Sequence, residues 1–123
     1  MSADDLAVAQ EFLAVLAAAA KTGELEEVYD FLATDVEWVT PTRNLRSIGE
    51  LRNEMTWYSP RETLEIDFEG PQLSDLGSGR IATDVREIYT KKTTGELAYT
   101  RERRIELTVR DGKIARYEMR FAG

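Results

Sequence analysis

The chain of 123 residues contains no histidine and no cysteine. Without cysteine there is no disulfide, no thiolate nucleophile and no thiolate metal site. Without histidine, the commonest general base near neutral pH and the commonest transition-metal ligand are missing. No metal and no cofactor is therefore expected. Proline is scarce, and Pro41, Pro60 and Pro71 each mark an interruption. Positive charge is in the minority, 16 Lys and Arg against 23 Asp and Glu, and the net charge of −7 opposes nucleic acid and anionic membrane as partners. Long apolar runs are also lacking. The longest, 12–20, is too short to span a bilayer and has no basic leader, so a cytoplasmic location is expected. The acids show no calcium-loop spacing, and Gly77-Ser78-Gly79 lacks the Lys and helix of a phosphate loop.

What is present suits one soluble domain, 1–123, with 42% hydrophobic and 32% charged residues. Ser2-Ala3-Asp4-Asp5 opens a helix to about Ala20 that turns Leu6, Leu13, Leu16 and Ala20 to one face, and Lys21-Thr22-Gly23 stops it. A second helix is expected over 24–33, with Tyr29 inward. A short strand, 35–40, ends at Pro41, and 42–46 reads as a polar loop. Ser47-Ile48-Gly49-Glu50 is a capping box for a third helix to about Tyr58, before Pro60. Residues 63–69 alternate as a half-buried strand, and 72–76 form another after Gly70-Pro71.

The residues 80–123 read as three strands divided by Thr93-Thr94-Gly95 and Arg110-Asp111-Gly112. Three-residue loops with a left-handed Gly set Asp84 opposite Arg104, Arg86 opposite Glu102 and Glu87 opposite Arg101. A two-residue slip would oppose Arg86 and Arg104, which like-charge repulsion disfavours. The second loop sets Glu106 opposite Arg116, Arg104 opposite Glu118 and Glu102 opposite Arg120. One face then carries charge ladders. The other carries Val85, Glu87, Arg101, Arg103, Ile105, Tyr117, Met119 and Phe121, a candidate pocket wall.

The order of elements, with Gly23-Glu24-Leu25-Glu26-Glu27-Val28 running into Phe31-Leu32-Ala33-Thr34-Asp35-Val36-Glu37-Trp38 and the final Val109-Arg110-Asp111-Gly112-Lys113-Ile114, resembles the nuclear transport factor two-like superfamily. Within it the chain resembles the SnoaL-like, polyketide-cyclase-like group. The resemblance implies an α+β fold, three N-terminal helices on a strongly curved, mainly antiparallel sheet that forms a cone. It also implies that the outer sheet face can carry a homodimer. The catalytic groups of related enzymes are not matched. The ketosteroid-isomerase base falls on Thr40, its oxyanion Tyr on Leu16 and its protonated Asp near Ile105. The limonene-epoxide-hydrolase Arg, Asp and Asp fall on Val85, Glu87 and Met119, so one carboxylate survives, and Arg103 stands where it could replace the guanidinium.

Two readings follow. In the first, the chain holds a small, largely apolar ligand with a polar or anionic end near Arg103. Trp38, Thr40, Tyr58, Val85, Arg101, Tyr117 and Met119 are then ligand contacts. Any chemistry would be proton transfer or hydration of a small organic molecule, with Glu87 as acid/base and Arg103 as electrophilic partner. In the second, the chain is a non-catalytic association domain, Glu87 with Arg103 is a structural ion pair, and Trp38 and Tyr117 fill core.

Overall fold

The computed structural model describes residues 2–54 and 62–121. Helix α1, Ser2–Thr22, is followed by a single helical turn, α2, Glu26–Asp30. Then come β1 (Leu32–Val39), β2 (Asn44–Arg46), α3 (Ile48–Glu54), β3 (Leu64–Gly77), β4 (Arg80–Lys91), β5 (Leu97–Arg110) and β6 (Lys113–Phe121). The strands form one open, curved sheet in the order β2-β1-β6-β5-β4-β3, antiparallel except where β1 runs parallel to β6. The α+β expectation holds.

α1 ends as the sequence indicates. Gly23 adopts a φ of 80° and its N–H bonds back to the Ala19 carbonyl at 2.7 Å. α2 is shorter than the expected 24–33, because β1 begins at Leu32 and recruits Leu32, Val36 and Trp38 into the core. The supposed loop 42–46 contains β2, whose Leu45 is buried opposite Trp38. At α3 the Glu50 N–H bonds to the Ser47 hydroxyl at 3.2 Å, the expected cap. The expected last turn of this helix, with Trp57 and Tyr58, lies outside the described residues.

The strands 63–69 and 72–76 are one element, β3. Gly70 and Pro71 do not end it; they form a bulge opposite Val85, and Gly70 has φ 92°. Another bulge corrects the hairpin of β4 and β5. Its loop closes one residue earlier than expected, with Lys91 bonded to Glu96, and the extra residue Ala98 restores the register at Tyr89 and Tyr99. Beyond it Glu87 faces Arg101, Arg86 faces Glu102 and Asp84 faces Arg104, as the charge argument requires.

The second hairpin departs from expectation. Asp111 and Gly112 both have positive φ, 52° and 75°, and make a two-residue turn in place of a three-residue loop. With Ala115 as a bulge, β6 moves by two residues. Arg104 therefore faces Arg120 and Glu106 faces Glu118, not the opposite charges expected. The like charges are relieved by other neighbours, diagonally at Glu106, directly across at Arg104 and along the strand at Glu118, since long side chains reach past their own pair. Arg120 and Arg80 both reach Glu106, at 3.2 and 3.3 Å, Arg104 reaches Asp84 at 3.4 Å, and Arg116 reaches Glu118 at 3.0 Å. These exposed pairs contribute little to stability individually. A shift of two preserves the faces, so Tyr117, Met119 and Phe121 still point inward, now opposite Leu107, Ile105 and Arg103.

The core lies between α1 and the inner sheet face. Phe12, Ile81, Leu107 and Ile114 are buried there, and Phe12 meets Trp38 and Tyr117 edge to face. No helix among the described residues is long and apolar enough to cross a membrane.

The turn between β3 and β4 shows how tightly the sheet ends are packed. The Gly79 carbonyl accepts from the Val109 N–H at 2.8 Å, and Gly79 has φ 76°. A β-carbon at Gly79 would run into the Val109 carbonyl, whereas one at Gly95, φ 75°, meets open space. Gly95→Ala should therefore cost about 1–2 kcal/mol through its backbone alone. Gly79→Ala should cost distinctly more, which paired urea melts of the two variants would measure.

Candidate functional site

The inner face of β4 presents Val85, Glu87 and Tyr89 in alternation, and the inner face of β5 presents Tyr99, Arg101, Arg103 and Ile105. Met119 and Phe121 of β6, Trp38 of β1 and Ile66 and Phe68 of β3 complete the sheet wall. Across from it stands α1, whose facing residues include Leu13, Ala14, Ala17 and Ala20. The small alanines leave space that larger side chains would fill. The result is a cavity of about 1060 Å³ that opens to solvent, just above the usual ligand-pocket range. A smaller recess of about 380 Å³ shares Lys21, Ile66 and Asp67 with it.

Within this wall, Arg103 Nε donates to Glu87 Oε1 at 2.6 Å. The pair is diagonal across two strands, because Glu87 faces Arg101 and Arg103 faces Val85. Glu87 is only 6% exposed. Arg103 Nη1 also approaches the Met119 sulfur at 3.7 Å, and its guanidinium lies 5.1 Å from the centre of the Phe121 ring. A buried carboxylate is tolerable here because a short, charge-assisted hydrogen bond compensates it.

Tyr89 stacks on Tyr99, ring centres 4.4 Å apart. Burial pushes the Tyr89 hydroxyl up to about 12, and the neighbouring Glu87 carboxylate adds to the shift while Arg103 opposes it. Burial likewise raises Tyr117, with Arg103 opposing and Glu87 adding. Both phenols stay neutral in the folded chain above the point where an unfolded tyrosine ionises. The unfolded state then holds fewer protons, so stability falls as pH rises from 10 towards 12.

Arg101 differs from Arg103. It is exposed, and its guanidinium lies between two rings, 5.5 Å from Tyr99 and 5.6 Å from Phe121. No ion pair holds it among the described residues. The other basic groups on the wall are engaged. Lys21 meets Asp67 at 3.4 Å, and Arg43 Nη1 donates to the Glu54 carbonyl at 3.1 Å. Among the described residues the wall carries four basic side chains, Lys21, Arg43, Arg101 and Arg103, against two acidic ones, Asp67 and Glu87. That is a positive excess inside a chain of net charge −7.

The structure brings Glu87, Arg103, Trp38, Thr40, Val85, Arg101, Tyr117 and Met119 onto this one wall. Tyr58 lies outside the described residues. Trp38 and Tyr117 are buried and stacked, ring centres 3.9 Å apart, so they serve both core and cavity. Thr40 is less available to a ligand than its position suggests. Its hydroxyl donates to the Arg43 carbonyl at 3.5 Å and accepts from the Arg43 N–H at 3.2 Å. Tyr29 is absent from the wall and packs under Arg52, which lies 4.4 Å over its ring. Sequence reasoning overlooked Tyr89 and Phe68 as site residues, although each continues a period-two face already read as inward. No three acidic side chains converge as a metal site among the described residues.

Several solved structures share this architecture. An NTF2-like protein from Anabaena variabilis superposes with a TM-score of 0.76 at 17% identity, covering 98% of this chain and 90% of its own. A Bacillus subtilis protein provisionally assigned as an isomerase gives 0.73 at 14% identity, over 96% and 88%. A Xanthomonas campestris protein provisionally assigned as a polyketide cyclase gives 0.66 at 15% identity, over 97% and 90%. No protein-family model and no curated protein matches the sequence. The chain has the NTF2-like fold, and at these identities the likeness establishes the fold alone.

The ion pair makes a stability prediction. Arg103→Met should strand the Glu87 carboxylate and destabilise the fold by about 1.5–3 kcal/mol. The double variant Glu87→Leu/Arg103→Met removes both charges and should recover part of that loss. Chemical denaturation of wild type and both variants checks the order.

Proposed function

We propose that the protein binds a small, largely apolar ligand through an anionic end. The observation that carries this reading is Arg101, a guanidinium without an ion-pair partner among the described residues, on the wall of an otherwise mainly apolar cavity of about 1060 Å³. Arg103 was the expected anchor, but its Nε is already held by Glu87. Arg101 is therefore the primary anion contact, with the remaining N–H groups of Arg103 beside it. A positive wall in an acidic protein supports the same polarity, because it favours an anion over a cation.

The chemistry within reach is proton transfer or hydration of the bound molecule. Glu87 is the buried carboxylate on the wall and would serve as acid/base, with Arg103 polarising the substrate. The isomerase and polyketide-cyclase assignments of two structural neighbours point the same way, at the level of the fold.

Titration calorimetry with 2-naphthoate and the neutral 2-naphthalenemethanol tests the reading. Wild type should bind the carboxylate, and Arg101→Met should weaken it by about 10- to 150-fold, the value of a charged hydrogen bond. The neutral compound should bind both proteins alike. Equal affinity of wild type and Arg101→Met for 2-naphthoate would contradict the assignment.

A further inference from the structure

Two polar groups on residues that line the cavity make no hydrogen bond to the described residues. Tyr117 and Trp38 are 5% and 4% exposed, and their rings are stacked. Neither the Tyr117 hydroxyl nor the Trp38 indole N–H has a hydrogen-bond partner among the described residues. Yet among those residues no side-chain nitrogen or oxygen sealed from solvent lacks a partner. Neither group is sealed from solvent, and the open surface that both residues share is the cavity wall. A buried donor in a polar, roomy site calls for an acceptor, either water or ligand.

Their position relative to Arg101 sets a length. Tyr117 stands opposite Leu107 on β5, and Arg101 lies six residues further along the same strand. That is roughly 20 Å between backbones at strand spacing. The Arg101 guanidinium leans to within 5.6 Å of the Phe121 ring, and Phe121 lies four residues from Tyr117 on β6, roughly 13 Å at strand spacing, a gap on the scale of a two-ring acid with a substituent at each end. The shape of the wall is equally specific. Flat aromatic faces flank Arg101, from Tyr99 and Phe121, and the Trp38–Tyr117 stack lies at the other end.

We propose that the cavity takes an elongated planar aromatic acid with a hydrogen-bond acceptor at the end remote from its carboxylate. The carboxylate pairs with Arg101, and the remote acceptor, an oxo or hydroxyl oxygen, receives hydrogen bonds from the Tyr117 hydroxyl and the Trp38 N–H. This inference rests on the binding function proposed above and names the ligand class for it. Tyr117 is then a specificity-determining residue that selects among acids already admitted by Arg101.

The test compares 6-hydroxy-2-naphthoate with 2-naphthoate by titration calorimetry, on wild type and on Tyr117→Phe. Wild type should prefer the hydroxylated acid by about 2- to 10-fold, the range of a neutral hydrogen bond. Tyr117→Phe keeps the ring and its stack but not the hydroxyl, so the ratio of its two affinities should fall to about one, whatever its affinity for 2-naphthoate alone. A wild type that binds both acids equally, or a Tyr117→Phe variant that keeps the preference, overturns the ligand class while leaving the binding function standing. If neither acid nor 2-naphthalenemethanol binds, the binding function itself fails, and this inference with it.

Discussion

The structure depends on a carboxylate that the fold buries in its own cavity wall. Glu87 is tolerable at 6% exposure because Arg103 meets it at 2.6 Å. That pair needs Glu87 and Arg103 on the same face of adjacent strands, one pair out of step, and strand register alone delivers this. Register in turn depends on Ala98, the extra residue in β5 that brings Tyr99, Arg101 and Arg103 opposite Tyr89, Glu87 and Val85. One alanine in a bulge thus decides which charges meet inside the protein.

The same economy explains the cavity. α1 is rich in alanine where it faces the sheet, so helix and sheet cannot close on each other completely. Bulges at Gly70, Ala98 and Ala115 bend the strands beneath it. Small side chains above and a curved sheet below leave a volume that is apolar over most of its wall and positively charged at one end. Arg101 sits between aromatic rings there, without an ion-pair partner among the described residues. Arg103 looks like an equivalent arginine in the sequence, but its pairing with Glu87 makes it part of the scaffold first.

Much of this was legible beforehand, and the failures have physical reasons. Charge opposition found the register of β4 and β5, because Asp84, Arg86 and Glu87 leave few acceptable partners. The identical argument misplaced β6. Asp111 tolerates a positive φ, so Asp111-Gly112 makes the tighter turn, and Arg120 and Arg80 then satisfy Glu106 from the side. Directly opposite charges are a weaker constraint than turn geometry when the side chains are long. β2 escaped notice because three residues, Asn44, Leu45 and Arg46, carry no period to read. Tyr117, Met119 and Phe121 keep the face expected of them because a two-residue slip leaves every side chain on its face. What sequence could not distinguish was which arginine pairs with Glu87, since that depends on diagonal reach across strands.

The central claim is that Arg101 anchors an acid whose body lies along the wall towards Tyr117. Crystals of the protein grown with 6-bromo-2-naphthoate would test it directly, because bromine is located by its anomalous signal. The account predicts one bromine peak inside the cavity near the Trp38–Tyr117 stack, with the carboxylate in hydrogen-bond contact with Arg101. A bromine at the Arg101 end, or peaks only on the outer sheet face, would contradict it.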